Sequence, residues 1–205
     1  MPDVTIEYKN GIPVIGIHQF QRDTLAHIEK IMADEDILGK KPRGIIFDLR
    51  NNPGGFLTSA VDVGGLFVEE GKVIFSTDYR DASKNKVYRA TSDGALKDYP
   101  NLVFLQNKGS ASASEILNAM IQDYGIGTIV GETSVGKGTV QSILNFFNGG
   151  NLKITVAKWL TPNERWIDEI GVVPDIEVTS PTSEEKIQKV DRQLDRAVQR
   201  VLQGR

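Results

Sequence analysis

A short apolar run that stops at a turn-rich loop constrains the fold more than any other feature of this sequence. Residues 44–49 (GIIFDL) have the length and apolar content of a buried strand. Residues 50–55 (RNNPGG) follow at once and are dense in residues that end strands. A helix is expected next, over residues 57–67, although Gly64 and Gly65 weaken it. Such a strand–turn–helix unit is typical of an α/β domain.

Strand-like and helical segments alternate along the rest of the chain, and hairpins are added to them. Asn10-Gly11 separates two β-rich runs and predicts a tight hairpin, because both residues tolerate positive φ. Further strands are expected at residues 72–77, 86–90, 101–105, 128–130, 140–147 and 151–158, the last two joined by a turn at 148–150. Helices are expected from residue 23 or 24 to 32, over 109–123, and over 183–203, where Ser180 would be the N-cap and Pro181 the first helical residue.

The expected fold class is therefore α/β, with a core of mixed sheet and helices, added β-hairpins and a C-terminal helix. The length of 205 residues fits one domain with a substantial core. We expect residues 1–180 to form that core. Residues 181–205 would form an amphipathic helix packed on the core or on a partner.

The composition excludes several classes of function. The chain has no cysteine and only two histidines, so thiolate catalysis, Cys-based zinc sites and HExxH metal sites are excluded, and no metal is expected. A net charge of −3 gives no general attraction to nucleic acid or to anionic lipid. No apolar run approaches the roughly 18–20 residues that span a bilayer, and the first residues carry no export-signal pattern.

Residues 109–115 (GSASASE) are the first segment that could carry chemistry. Small residues at a helix start leave backbone N–H groups free, and those groups would stabilise an oxyanion formed beside a serine. A structural role is the alternative, because Ser112 and Glu115 have the spacing of a capping box.

Residues 131–139 (GETSVGKGT) are the second such segment. They fall one residue short of a phosphate-binding loop, because Gly138 stands where a serine or threonine would bind Mg²⁺. The alternating pattern that follows predicts a strand rather than the helix that a phosphate site needs, which disfavours a nucleotide hydrolase. Lys137 could instead serve as a general base if its amine were neutral, or it could be an ordinary solvated lysine.

The loop at residues 50–55 is the third segment. Gly54 and Gly55 could present N–H groups to a ligand, and a tight strand–helix turn is the alternative. Nothing in the sequence directs His18 or His27 towards a serine, so a Ser-His-Asp triad is disfavoured.

Taken together, these segments resemble the carboxy-terminal processing peptidases, also called tail-specific proteases, which are serine proteases with a Clp-protease/crotonase type of fold. The matching stretches, in the family's order and spacing, are residues 44–55, 107–123, 130–141 and 160–178. Family members usually carry an export signal, an N-terminal region and a PDZ domain before this core, and the four matching stretches cover the core alone.

The resemblance implies a role for six residues. Ser112 corresponds to the nucleophile, Lys137 to its general base and Gln141 to the residue that orients the lysine. The backbone N–H of Ala113 and that of Gly54 or Gly55 correspond to the oxyanion donors.

The resemblance also implies no cofactor, protein or peptide tails as substrates, and work outside the cytoplasm. Nucleic acid and membrane are not expected partners, and a homo-oligomer is left open. Three alternatives remain at this point: a dormant peptide-binding core that needs the missing N-terminal parts, a crotonase-like enzyme acting on acyl thioesters, and a nucleotide hydrolase.

Overall fold

The computed structural model describes residues 2–147, 149–188 and 190–204, together with their secondary structure. The strands are β1 (Val4–Lys9), β2 (Ile12–Ile17), β3 (Ile45–Asp48), β4 (Val73–Tyr79), β5 (Lys86–Arg89), β6 (Leu102–Gln106), β7 (Gly127–Gly131), β8 (Thr139–Asn145), β9 (Asn151–Leu160) and β10 (Ile176–Glu177). The helices are α1 (Thr24–Asp34), α2 (Ile37–Lys40), α3 (Leu57–Gly65), α4 (Ala113–Asp123), α5 (Ser183–Ile187) and α6 (Arg192–Gln203).

The larger sheet has the strand order β1-β2-β3-β6-β7-β10. All neighbours in it are parallel except β1, which pairs with β2 as the antiparallel hairpin that Asn10-Gly11 predicts. Helices lie in the crossovers from β2 to β3, from β3 to β6 and from β6 to β7, so the expected α/β class is confirmed. Because the carboxyl ends of parallel strands meet at one edge, the loops after β3, β6 and β7 converge there.

Both faces of this sheet are buried, and the side chains of β3 and β6 alternate between them. Phe47 and Phe104 stack on the face covered by α1, α3 and α4, where their ring centroids lie 5.2 Å apart. Ile46 and Val103 point to the opposite face, where they pack against α6. The α6 residues in that cluster are Leu194, Ala197, Val198 and Val201. The sheet is therefore a rigid platform for the loops at its edge.

The smaller sheet is antiparallel, in the order β5-β4-β9-β8, and β5 and β8 are its edge strands. Strands β8 and β9 form a long hairpin that leaves many apolar side chains in solvent. They are Ile143, Leu144, Phe146, Phe147, Leu152 and Ile154. Asn148, which the sequence places in the turn, lies outside the described residues.

The C-terminal region differs from the single helix expected over residues 183–203. It contains two short helices, and Asp191 rather than Ser180 caps the longer one by accepting a hydrogen bond from the Leu194 N–H at 3.0 Å. The Ser180 hydroxyl instead donates to the Glu132 carboxylate. A second capping residue inside an amphipathic stretch starts a new helix, which the apolar spacing alone does not reveal.

Other boundaries differ by smaller amounts. The helix expected from residue 109 begins at Ala113, because residues 107–112 form a loop around Ser112. The helix expected to reach residue 67 ends at Gly65. Two short elements, α2 and β10, were not expected.

Candidate active site

Ser112 lies at the start of α4, in a loop whose backbone is closely held. The Ser110 hydroxyl donates to the Leu49 carbonyl at 2.8 Å, and the Ala111 N–H donates to the Asn52 carbonyl at 3.0 Å. Ser112 itself has φ 55° and ψ −113°, a conformation that costs a residue with a side chain about 1–3 kcal/mol. Strain of this kind at a partly exposed serine is typical of functional sites.

The carboxylate of Glu115 joins the serine loop to the lysine loop. Glu115 is fully buried, and one carboxylate oxygen accepts the N–H of Ser112 at 2.8 Å and the N–H of Lys137 at 2.9 Å. Its other oxygen accepts the Ser134 hydroxyl at 2.6 Å and the Gly136 N–H at 2.5 Å. The capping contact expected of Glu115 is therefore present, and the same carboxylate brings the backbones of Ser112 and Lys137 together.

The side chain of Lys137 makes no hydrogen bond to Ser112 in the described part of the chain. It is exposed, and among the described residues no hydrogen bond joins it to Gln141 either. Its backbone is nevertheless fixed, because the Lys137 carbonyl accepts the Trp159 indole N–H at 2.7 Å. Gln141 is exposed on β8, four residues along. The structure thus holds the backbones of Ser112 and Lys137 together, while the side chains of Lys137 and Gln141 are exposed.

Asn52 holds the glycine loop beside Ser112. Its side chain donates to the Ile17 carbonyl at 2.7 Å and accepts the Gly54 N–H at 2.8 Å. A Cβ at Gly54 would lie 2.8 Å from the Ser112 Cβ, so the loop and the serine are in direct contact. Only a glycine permits this approach.

The N–H groups of the expected oxyanion donors differ in whether they already have an acceptor. The Gly54 N–H is occupied by the Asn52 side chain. Within the part of the chain that the structure describes, the N–H groups of Gly55 and Ala113 have no acceptor. Gly55 has φ 152°, and a Cβ there would lie 2.0 Å from the Phe20 carbonyl oxygen. The geometry leaves Gly55 and Ala113 available to an oxyanion.

A partly buried arginine holds the start of the same loop. The Arg50 guanidinium donates to Asp48 at 2.6–3.0 Å and to both carboxylate oxygens of Asp191 at 2.8 Å. Burial opposes its charge, but the hydrogen bonds and negative charges of Asp48 and Asp191 raise the pKa of Arg50 above its ordinary value. These three residues were not predicted, since no spacing rule links Arg50 to a carboxylate 141 positions away.

The two histidines hydrogen-bond to residues outside the serine, lysine and glycine loops. His18 pairs with the Thr5 hydroxyl at 2.9 Å, and the Nδ1 of His27 lies 2.7 Å from the carboxylate of Asp3. Neither contacts Ser112 in the described structure, so the two histidines form no triad with it. The near-match to a phosphate-binding loop also fails, because Lys137 leads into β8 instead of a helix.

The described residues offer neither a clustered metal site nor a membrane-spanning helix. Residues 2–147, 149–188 and 190–204 contain no group of three or more His, Cys, Asp or Glu side chains that could hold a metal ion. In the same ranges no helix combines the length and apolar character needed to cross a bilayer.

Comparison with known proteins places this site in a family. The sequence model of peptidase family S41 matches residues 11–178, which include Ser112, Lys137 and both glycines. The chain belongs to peptidase family S41. The resemblance to carboxy-terminal processing peptidases is thereby confirmed, because the relatives include CtpA-like serine proteases and a solved structure of similar fold is a C-terminal processing protease.

Several curated relatives of this S41 chain are staphylococcal proteins. The "Probable CtpA-like serine protease" of Staphylococcus aureus (strain COL) is 37% identical over 183 residues, which cover 86% of this chain and 36% of that protein. The protein of the same name in Staphylococcus epidermidis is 36% identical over 180 residues, covering 87% of this chain and 36% of that protein. The chain thus spans 36% of the length of these relatives.

Solved structures of proteases share the fold of this S41 domain. The photosystem II D1 C-terminal processing protease superposes with a TM-score of 0.75 at 28% identity, over 92% of this chain and 52% of that one. The tricorn protease superposes with a TM-score of 0.61 at 18% identity, over 94% of this chain and 18% of that one, and this likeness shows the fold alone. The mixed α/β core of the Clp-protease/crotonase type is confirmed.

Proposed function

We propose that this chain is the catalytic core of a serine endopeptidase that cleaves protein or peptide chains near their C-termini. The observation that carries the proposal is the Glu115 carboxylate, which binds the backbones of Ser112 and Lys137 through one oxygen. Among the described residues, no acceptor binds the N–H of Ala113, which follows that serine, or the N–H of Gly55, which follows the Gly54 that contacts it. Nucleophile, base and oxyanion donors thus come from three loops at one edge of the sheet, in a domain whose named relatives are serine proteases.

The proposed reaction is acyl transfer in two steps. The neutral amine of Lys137 takes the proton of Ser112 Oγ, and Oγ attacks the scissile carbonyl carbon. The oxyanion accepts hydrogen bonds from Ala113 and Gly55, and Lys137 returns the proton to the leaving amine. Water then attacks the acyl-enzyme by the reverse path, with Lys137 again as base. Loss of one oxyanion donor costs such a reaction on the order of 10²–10³ in rate.

Substrate binding would bring the side chains of Ser112 and Lys137 together. Because Lys137 lies in solvent at rest, its side chain must turn towards Ser112, and Gln141 would orient it there. A bound peptide would also expel water from the lysine, which favours the neutral amine.

A substrate chain would enter as an added strand. The free edge of β8 begins two residues after Lys137, and unpaired backbone groups on such an edge bind extended peptides. Protein tails are the proposed substrates, and the region outside the cytoplasm is the proposed location, as the staphylococcal relatives and the D1 processing protease suggest.

The test is cleavage of an unfolded protein with a free C-terminus. Wild type is expected to cut it, while Ser112→Ala and Lys137→Ala lose at least about 10³-fold in rate, as removal of a nucleophile or base does. Lys153→Ala is the matched control, because Lys153 is an exposed lysine on β9 and should cut like wild type. Circular dichroism checks that all variants fold equally. Undiminished cutting by Ser112→Ala would overturn the proposal.

A dormant peptide-binding core is the second candidate. The unbonded, exposed side chain of Lys137 favours it. In that case no variant would cut, yet a fluorescent peptide would bind wild type and Ser112→Ala with equal affinity.

A further inference from the structure

Asp191, the residue before α6, and Gln193 on α6 both contact the side chain of Arg50 at the start of the glycine loop. Asp191 precedes the helix and lies 141 residues from Arg50 in the sequence, yet both of its carboxylate oxygens accept from Arg50 Nη1 at 2.8 Å. We propose that Asp191 is a positioning residue for the oxyanion donors and acts on them through Arg50. This inference rests on the proposed function, because it concerns the same oxyanion site.

Carboxylates on two sides hold the Arg50 side chain in place. This side chain is 15% exposed and lies between two carboxylates. Nε and Nη2 donate to Asp48, the last residue of β3, while Nη1 donates to Asp191 at 2.8 Å and, at the longer distance of 3.4 Å, to the Gln193 side chain. A planar guanidinium held by carboxylates on two sides has one orientation, because each pair of hydrogen bonds fixes its plane.

Arg50 is connected to the two glycines through the loop that it begins. Arg50 opens the loop that contains Asn52, Gly54 and Gly55, and the Asn52 side chain accepts the Gly54 N–H at 2.8 Å. The Asn52 carbonyl accepts the N–H of Ala111 at 3.0 Å, next to Ser112. A shift of Arg50 would therefore move the glycine loop relative to the serine.

Asp191 is held in place by the helix that it caps. It caps α6 by accepting from Leu194 N–H at 3.0 Å, and the helix is buried on the sheet through Leu194 and Val198. The neighbouring Gln193 is fully buried and donates to the Val178 carbonyl at 2.8 Å. Asp191 therefore cannot follow a displaced Arg50, and the sheet-bound helix sets the position of the loop.

Two variants separate this role from simple helix stability. Asp191→Ser keeps a good N-cap but is too short to reach Arg50. Asp195→Asn removes a carboxylate from the same helix, where Asp195 pairs with Lys9 at the surface, and serves as the matched control. Protein cleavage, Ser112 labelling by a fluorophosphonate, and hydrogen exchange of residues 49–56 are compared at a temperature where both variants are folded.

For Asp191→Ser we expect kcat and the labelling rate to fall on the order of ten- to hundred-fold, the scale of a small misplacement of reacting groups, with KM changed less than about twofold. Hydrogen exchange in residues 49–56 should become faster than in wild type. Asp195→Asn should match wild type in all three measurements.

The failures are distinguishable. If wild type neither cuts nor labels, the proposed function fails and hydrogen exchange alone decides the coupling. The coupling is then supported if exchange becomes faster in Asp191→Ser and not in Asp195→Asn. Unchanged exchange in Asp191→Ser overturns the coupling, whether or not wild type cuts. A fall in kcat shared by Asp195→Asn, or a rise in KM alone, would overturn it as well.

Discussion

At the scale of single residues, a buried carboxylate organises the site. Glu115 accepts four hydrogen bonds, two of them from the backbones of Ser112 and Lys137. An ionised carboxylate is an acceptor on both oxygens, and no neutral side chain of the same size can replace it. Its place at the start of α4 also puts negative charge at the positive end of the helix dipole.

Glu115→Gln tests this role. The amide nitrogen would face N–H or O–H donors, so at least one buried donor would lose its acceptor, at about 1–3 kcal/mol of unfolding free energy. Activity should fall by more than about tenfold, since Ser112 and Lys137 are no longer held together. Glu29→Gln, on the exposed side of α1, is the control and should change neither quantity. Denaturant unfolding and cleavage rates measure both effects, and a fully active, fully stable Glu115→Gln protein would contradict the assignment.

At the scale of elements, the site depends on how closely the loop after β3 approaches the start of α4. Gly54 has φ 97°, and a Cβ there would lie 2.7 Å from the Ala111 carbonyl oxygen and 2.8 Å from the Ser112 Cβ. The close contact exists because parallel β3 and β6 are neighbours and end at the same edge.

Gly54→Ala should therefore inactivate the protein through a clash with Ser112. Gly71→Ala is matched to it, because Gly71 also has positive φ, at 81°, but has open space where a Cβ would lie. Both variants bear the strain of positive φ, about 1 kcal/mol or more for a residue with a Cβ. Only Gly54→Ala should lose cleavage and fluorophosphonate labelling. Equal loss of activity in the two variants would show that backbone strain, not contact with the serine, is responsible.

At the scale of the whole molecule, stability comes from a sheet covered on both faces and from polar links between distant segments. Asp3 is one such link, because its carboxylate accepts from the Thr24 hydroxyl at 2.7 Å and contacts His27 on α1 at the same distance. Burial would raise the pKa of Asp3, but the hydrogen bonds with Thr24 and His27 outweigh it and lower the pKa below its ordinary value.

A lowered aspartate pKa gives stability that is present above the ordinary pKa of the unfolded chain, about 3.9, and is lost as pH falls through the folded value. Asp3→Asn should thus be less stable than wild type at pH 7, and the difference should shrink as the pH falls below about 4. Urea unfolding at a series of pH values measures both curves. A difference that is constant with pH would show that the charge of Asp3 contributes nothing.

Local patterns determined a large part of this protein. Asn10-Gly11, the apolar run before Arg50 and the alternation of strands with helices predicted the α/β class. Four short stretches in order carried the resemblance to the carboxy-terminal processing peptidases. These features are visible in the sequence because each depends on neighbouring residues: turn chemistry, side-chain period and helix capping act over a few positions. The roles of Ser112, Lys137, Gln141, Ala113 and the two glycines stay predictions.

Tertiary structure decided the rest, because it depends on contacts between segments far apart in the chain. No local pattern shows that Glu115 binds the loop of Lys137, that the Asn52 side chain accepts the Gly54 N–H, or that the lysine side chain is exposed. The division of the C-terminal region into α5 and α6 has the same origin. Asp191 caps a helix and binds Arg50 at once, and only the packing of that helix on the sheet brings the two charges together.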